Sequence, residues 1–142
     1  MRIDTMARKF SLQSQIEARI AERGDAVYLT REFVDLGAKR QVLRALANIV
    51  AAGRLVRLGY GVYGPAIESR LTGKPMLANP GGFMVAAQQA LTKLGVAWEA
   101  TSWERAYSEG RSTQVPVNPQ LKVRGRFSRT LRYGGRDLYI ER

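Results

Sequence analysis

Residues Lys39 to Tyr63 read KRQVLRALANIVAAGRLVRLGYGVY. The first part has the spacing of an amphipathic helix, running from about Lys39 to Ala52 and burying Leu43, Leu46, Ala47 and Val50, and Gly53 ends it. Arg54 to Leu58 then favours a strand, Gly59-Tyr60-Gly61 a turn, and Val62-Tyr63 a returning strand that Gly64-Pro65 interrupts. A helix followed at once by a β-ribbon of this kind constrains what must precede it.

Upstream, Ser11 or Ser14 opens a short helix in which Ser14 and Glu17 fit a capping box, Leu12, Ile16 and Ile20 form the apolar stripe, and Gly24 terminates. Ala26 to Leu29 is extended. Thr30 is placed to cap a brief helix of about two turns that turns Phe33 and Leu36 inward before Gly37. The order helix, short strand, helix, helix, β-ribbon predicts an α+β fold that begins with a winged helix-turn-helix. Residues 66–81 hold Pro75, Pro80 and several glycines with no apolar period, which predicts a linker between a domain at 1–65 and a small α/β domain at 82–142. In that second part, Asn79-Pro80 opens a helix reaching Leu94, with Phe83, Ala87, Leu91 and Leu94 on one face and Gly95 as its stop. Leu131 to Tyr133, Gly134-Gly135 and Leu138 to Ile140 predict a C-terminal hairpin.

Composition narrows the function. The 142 residues include no cysteine and no histidine, which removes disulfide frameworks, thiol and imidazole catalysis and zinc fingers. The formal charge is +11, and both parts share it: residues 1–65 carry 11 basic and 6 acidic side chains, residues 66–142 carry 12 and 6. Such a chain attracts polyanions through counterion release, so nucleic acid is the expected partner. Met1-Arg2-Ile3-Asp4 lacks the apolar core of a signal peptide and no segment is long and apolar enough to span a bilayer, so no membrane role and a cytoplasmic location are expected.

On the third helix, the face opposite Leu43, Leu46 and Val50 carries Gln41, Arg44, Ala45 and Asn48, with Arg40 on its flank. Arg suits guanine, Gln or Asn suits adenine, and a small residue at Ala45 allows close approach to base edges; the competing reading is a solvated polar face. Lys39, Thr30 and Arg31 lie near helix N-termini, where phosphate is favoured over bases. Arg54, Arg57 and Tyr60 give the ribbon a capacity for backbone contact, against the alternative of simple solvation and cover. Lys122, Arg124, Arg126, Arg129, Arg132 and Arg136 form a second basic run that suits phosphate, an acidic protein, or the solvent face of a sheet. Trp98 and Trp103 read as core rather than as base-stacking platforms.

Gly59 to Gly64 formally matches GxGxxG, but Val62, Tyr63 and Pro65 follow it with a strand instead of the helix that would hold a pyrophosphate. Nuclease carboxylate motifs, GxxxxGK[ST] and GxSxG are all missing, and Ser102 and Ser108 have no base beside them. No catalytic residue, metal site or cofactor is therefore expected, and the chain reads as a binding protein.

Lys39-Arg40-Gln41 and the run from Gly53 to Tyr63 resemble the N-terminal winged-helix domain of AbiEi-type antitoxins of bacterial type IV toxin–antitoxin systems. Arg111-Ser112-Thr113-Gln114-Val115-Pro116, then Arg126-Phe127-Ser128-Arg129 and the Gly134-Gly135 hairpin, resemble the shorter DUF6088-like relatives. The resemblance implies a transcriptional regulator that binds double-stranded DNA at promoter repeats and represses its own operon, with Lys39, Arg40, Gln41 and Arg44 on the reading helix. It further implies a toxin partner of nucleotidyltransferase type, with antitoxic action in the stretch from Ser112 to Arg136. A palindromic operator would be met by a homodimer. The alternative is a protein-interaction module that uses a winged-helix scaffold to hold an acidic partner such as a toxin. A small metal-dependent nuclease with dispersed carboxylates stands third.

Overall fold

Ser11 caps helix α1 (Leu12–Arg23): its side chain accepts from the Ser14 amide at 3.1 Å, so the capping residue lies one turn ahead of the expected Ser14–Glu17 box. The computed structural model describes residues 11–102, 105–106, 109–110 and 119–141. Met1 to Asp4, Trp103, Ser108 and the Arg111 to Pro116 motif lie outside the described residues. At the far end of α1, Gly24 adopts φ 67° and its amide bonds to Ile20 O, a left-handed cap that glycine adopts without strain.

Strand β1 (Tyr28–Leu29) leads into a single 3₁₀ turn, Thr30–Phe33, where two turns of α-helix were expected. The difference has a local cause. The Thr30 amide bonds to Gly61 O at 3.1 Å and the Leu29 amide to the Glu32 carboxylate at 2.7 Å, so Leu29, not Thr30, occupies the cap position. Helix α2 (Lys39–Ala51) follows, but its buried stripe is Val42, Ala45, Leu46 and Ile49. Leu43 is 40% exposed and Ala47 is exposed, whereas Ala45, expected outward, is only 6% exposed. The helix is turned by roughly one residue, about 100°, because Val42, Ala45, Leu46 and Ile49 also satisfy the i, i+3, i+4, i+7 spacing. They enter a cluster with Ile16, Tyr28, Phe33, Leu55 and Tyr63, where the short side chain of Ala45 lets α2 come close to its neighbours.

Strands β2 (Leu55–Gly59) and β3 (Val62–Glu68) form the expected ribbon, with β1 on the outer side of β3, giving the antiparallel order β1-β3-β2. Gly61, at φ 67°, supplies the left-handed residue of the turn, and a bulge lies between the Arg57–Tyr63 and Gly59–Val62 pairs. Residues 66–81, expected to be a linker, contain the outer part of β3 and strand β4 (Pro75–Leu77), which pairs with it in the register Ala66–Leu77, Ile67–Met76 and Glu68–Pro75. Proline is compatible with the first residue of such an outlying strand, so Pro75 does not break it.

Helix α3 (Gly82–Lys93) starts two residues after the expected Pro80, because Asn79 Oδ1 accepts the Gly81 amide at 3.1 Å and forms a turn first. Its buried residues are Ala86, Ala87, Ala90 and Leu91, with Phe83 and Leu94 partly buried. Strands β5 (Trp98–Glu99), β6 (Gln120–Val123) and, after an intervening hairpin, β9 (Tyr139–Glu141) make a sheet in which β6 and β9 are parallel. The hairpin joins β7 (Arg132–Tyr133) to β8 (Arg136–Asp137) through Gly134 and Gly135, both with positive φ, as its two-residue turn requires. Trp98 is not core: it is 37% exposed, and its Nε1–H donates to Thr92 Oγ1 on α3 at 2.9 Å.

A second apolar cluster joins the two parts of the chain. Val27, Leu29, Leu58 and Val62 pack with Ala87 and Leu91 of α3 and with Leu121, Phe127 and Leu131 from the distal segment. Polar links follow the same seam, with the Val27 amide donating to Gln89 Oε1 at 2.8 Å and the Leu77 amide to the Tyr133 hydroxyl at 3.0 Å.

Candidate nucleic-acid interface

Two adjacent rows of α2 reach the surface. Arg40, Gln41, Arg44 and Asn48 are all exposed, and Arg40 and Arg44 form no ion pair among the described residues. One position round the helix, Lys39, Leu43 and Ala47 form the wall of a groove of about 530 Å³. Arg57, Tyr60, Gly61 and Tyr63 of the ribbon also line it, with Thr30 and Arg31 of the 3₁₀ turn and Val34 just after it. Arg129 from the distal part also lines it. Among the described residues the groove thus gathers four cations, Arg31, Lys39, Arg57 and Arg129, and no carboxylate.

The expected contact residues divide into free and engaged groups. Arg54 is paired with Glu17 of α1, Nη2 to Oε2 at 3.2 Å, and does not line the groove; their separation of 37 positions hid this pairing from the sequence. Arg31 lies in the groove, but its Nη2 donates to Lys93 O at the end of α3, where a cation complements the helix dipole. Thr30 Oγ1 is buried without a hydrogen-bond partner among the described residues. Arg57 bends toward Gly59 O at 3.3 Å and remains exposed, and Tyr60 is 74% exposed at the turn. Lys39, Arg57 and Tyr60 are therefore the expected residues best presented here, and Val34, Leu43 and Ala47 are the ones sequence reasoning missed. The sole available signal was the i, i+4, i+8 spacing of Lys39, Leu43 and Ala47.

The second basic run is not one patch. Lys122 and Arg124 lie 3.8 and 3.7 Å from Glu99, which Arg105 also approaches at 3.7 Å. Pairing of β5 with β6 sets Glu99 opposite Lys122, supplying a carboxylate where the linear sequence shows none. Arg132 faces Asp137 at 3.4 Å, while Arg126 and Arg136 are exposed. Arg129 alone reaches the ribbon turn, its Nη1 donating to Tyr60 O at 3.4 Å. The approach relies on Gly59, where a Cβ would stand 2.7 Å from Thr130 O.

Asp25, Glu32 and Asp35, none of which lines the groove, are held by basic partners. Lys93 Nζ contacts Asp25 Oδ2 at 2.9 Å, both Glu32 carboxylate oxygens at 3.0 Å and Val27 O at 2.8 Å, and lies 4.8 Å from the centre of the Tyr28 ring. Arg19 grips Asp35 through two hydrogen bonds of 2.7 and 2.8 Å and also donates to Glu32 O. That hydrogen bonding by Arg19 holds the Asp35 carboxyl below its ordinary range. Burial pushes the Tyr28 hydroxyl up, while it donates to Ile20 O and accepts from the Asp25 amide. Together these contacts brace the 3₁₀ turn, and so part of the groove lining, against α1 and α3.

Among the described residues, no group of three or more acidic side chains is arranged to hold a metal ion, and no helix is long and apolar enough to cross a membrane. No protein-family model, curated protein or solved structure matches the chain.

Proposed function

We propose that the chain is a DNA-binding transcriptional regulator in which α1, the 3₁₀ turn, α2 and the β2–β3 ribbon act as a winged helix. Helix α2 enters a major groove and presents Arg40, Gln41, Arg44 and Asn48 to base edges. Lys39, Arg57 and Arg129 meet phosphates, and Tyr60 packs on the backbone from the ribbon turn. The observation that carries this reading is the groove beside α2, which among the described residues gathers four cations without a carboxylate, next to an exposed row of side chains capable of base contacts. Together with the resemblance of Lys39 to Tyr63 to antitoxin regulators, it supports an antitoxin-like autorepressor acting at promoter repeats, with a nucleotidyltransferase-type toxin as partner.

The test is a salt titration of binding to the DNA upstream of the chain's own coding sequence, against a scrambled duplex of equal length. A preference of about 10³ or more that persists near physiological salt is expected. Equal and salt-labile binding to both duplexes would refute it. A second reading, a scaffold that binds an acidic protein, draws on exposed Val34 and Leu43 within the same groove. Co-purification of a neighbouring gene product without nucleic acid would favour that reading.

A further inference from the structure

Strand β3 does not stop where its pairing with β2 ends. Beyond the Leu55–Pro65 pair it continues against β4, and the resulting two-stranded arm extends the sheet away from the Tyr60–Gly61 turn. The tip of the arm is ordered by its own hydrogen bonds. The Ser69 amide donates to Lys74 O and the Gly73 amide to Ser69 O, each at 2.8 Å, while Ser69 Oγ accepts from the Leu71 and Thr72 amides at 3.2 and 3.4 Å. Gly73, at φ 72°, makes the turn possible. This fixed loop holds Leu71 out with 96% of its surface exposed, between Arg70 and Lys74, which are exposed and form no ion pair among the described residues. Behind the tip, the cross-strand pair Ile67 and Met76 is exposed as well.

We infer that this arm is a second DNA contact, with Leu71 as an apolar wedge in a minor groove and Arg70 and Lys74 on the flanking phosphates. The inference rests on the DNA-binding reading above and adds a surface separate from the α2 groove. An apolar side chain set between two cations suits a partly unstacked base step bounded by phosphates, and Ile67 with Met76 suits the apolar sugar edges of the groove. Charge favours DNA over a second copy of this chain, because Arg70 and Lys74 outnumber the arm's carboxylate, Glu68, whose Oε1 lies 3.8 Å from where a Cβ on Gly73 would stand, and the whole chain carries +11. The arm starts beside the C-terminal end of α2, where Pro75 Cγ lies 3.3 Å from where a Cβ on Gly53 would stand.

The experiment uses the full chain and the duplex from upstream of its coding sequence, with aminopurine placed in turn at steps flanking the α2 site. Binding by the unaltered chain is expected to raise the fluorescence at one flanking step. Leu71→Ala should abolish that signal and weaken binding about five- to tenfold. Removing both cations, Arg70→Ala with Lys74→Ala, should lower the salt slope by about two phosphate contacts, near 0.9 each. All three residues are exposed, so thermal unfolding of the variants should match the parent. If Arg44→Ala weakens binding while the tip variants leave affinity, salt slope and fluorescence unchanged, the arm inference fails and the α2 reading stands. If the tip variants change only the sedimentation of the free chain, the arm is a self-association surface and the inference is overturned. If the parent binds no DNA, both readings fall together.

Discussion

Lys93→Met removes one charge and keeps most of the side-chain volume. In the folded chain that charge meets Glu32, Asp25 and the Val27 carbonyl, and Lys93 and Glu32 are 20% and 15% exposed at the side chain. Exposed ion pairs contribute about 0–1 kcal/mol, and removing one partner of a fully buried pair costs about 3–5 kcal/mol. Glu32 keeps Arg23 at 3.2 Å and the Leu29 amide at 2.7 Å after the substitution, so its charge is not left without a partner. A loss between those limits follows, about 2–3 kcal/mol, which at roughly 2–4 °C per kcal/mol lowers Tm by about 5–10 °C. The assay is urea and thermal unfolding followed by far-UV circular dichroism. Glu32→Gln and the double variant complete a cycle whose coupling energy should exceed about 1 kcal/mol. A loss below about 0.5 kcal/mol for Lys93→Met, or strict additivity with Glu32→Gln, would refute the idea that this lysine braces the 3₁₀ turn against α3.

Arg44→Ala should cost about 1–3 kcal/mol on the specific duplex and little on the scrambled one; unchanged specific affinity would remove α2 from the recognition role. Arg129→Ala should lower the salt slope of binding by about 0.9, as loss of one phosphate contact does. Arg124→Ala, whose charge is shared with Glu99, should change the slope much less, and equal effects would mean that the distal cations act as one patch. Gly59→Ala forces a Cβ toward Thr130 O and Leu131, so a destabilisation of about 1–3 kcal/mol is expected in urea, and an unchanged midpoint would contradict the docking of the distal segment on the ribbon. Because Arg19 holds the Asp35 pKa down, its contribution is present above the ordinary aspartate pKa and is lost as pH falls through the lower folded value. Asp35→Asn should therefore flatten the dependence of Tm on pH below about pH 4, and parallel curves for parent and variant would exclude that linkage.

Local rules explain which features were legible. Gly24, Gly61, Gly134 and Gly135 all take positive φ where the sequence called for caps and turns, because that requirement is met within a few residues. The rotation of α2 was not legible. Val42, Leu43, Ala45, Leu46, Ala47, Ile49 and Val50 offer two overlapping apolar stripes, and only packing with Ile16, Tyr28, Leu55 and Tyr63 selects one. The same limit applies to charge. Arg54 is neutralised by Glu17 and Lys122 is approached by Glu99, each across more than twenty positions, so counting neighbours along the chain overstated both. Residues 66–81 resembled a linker because their prolines and glycines lack an apolar period, yet a two-stranded arm needs only backbone pairing and one turn.

Some of the cations left without carboxylates gather at α2, while Arg70 and Lys74 lie on the arm and Arg126 and Arg136 on the distal part. Glu17, Asp25, Glu32, Asp35, Glu99 and Asp137 all contact basic partners, and none of the six lines the α2 groove. Lys39, Arg40, Arg44 and Arg57 have no ion pair among the described residues, and Lys39 and Arg57 face the same cavity, which Arg129 enters from the distal part. Like charges held this close repel and oppose folding, more so at low salt. The arrangement becomes favourable when a polyanion fills the groove, since the repulsion is then replaced by phosphate contacts and released counterions. Stability should consequently rise when duplex is added, by an amount that falls with salt, and the rise should be smaller in Arg129→Ala than in Arg124→Ala.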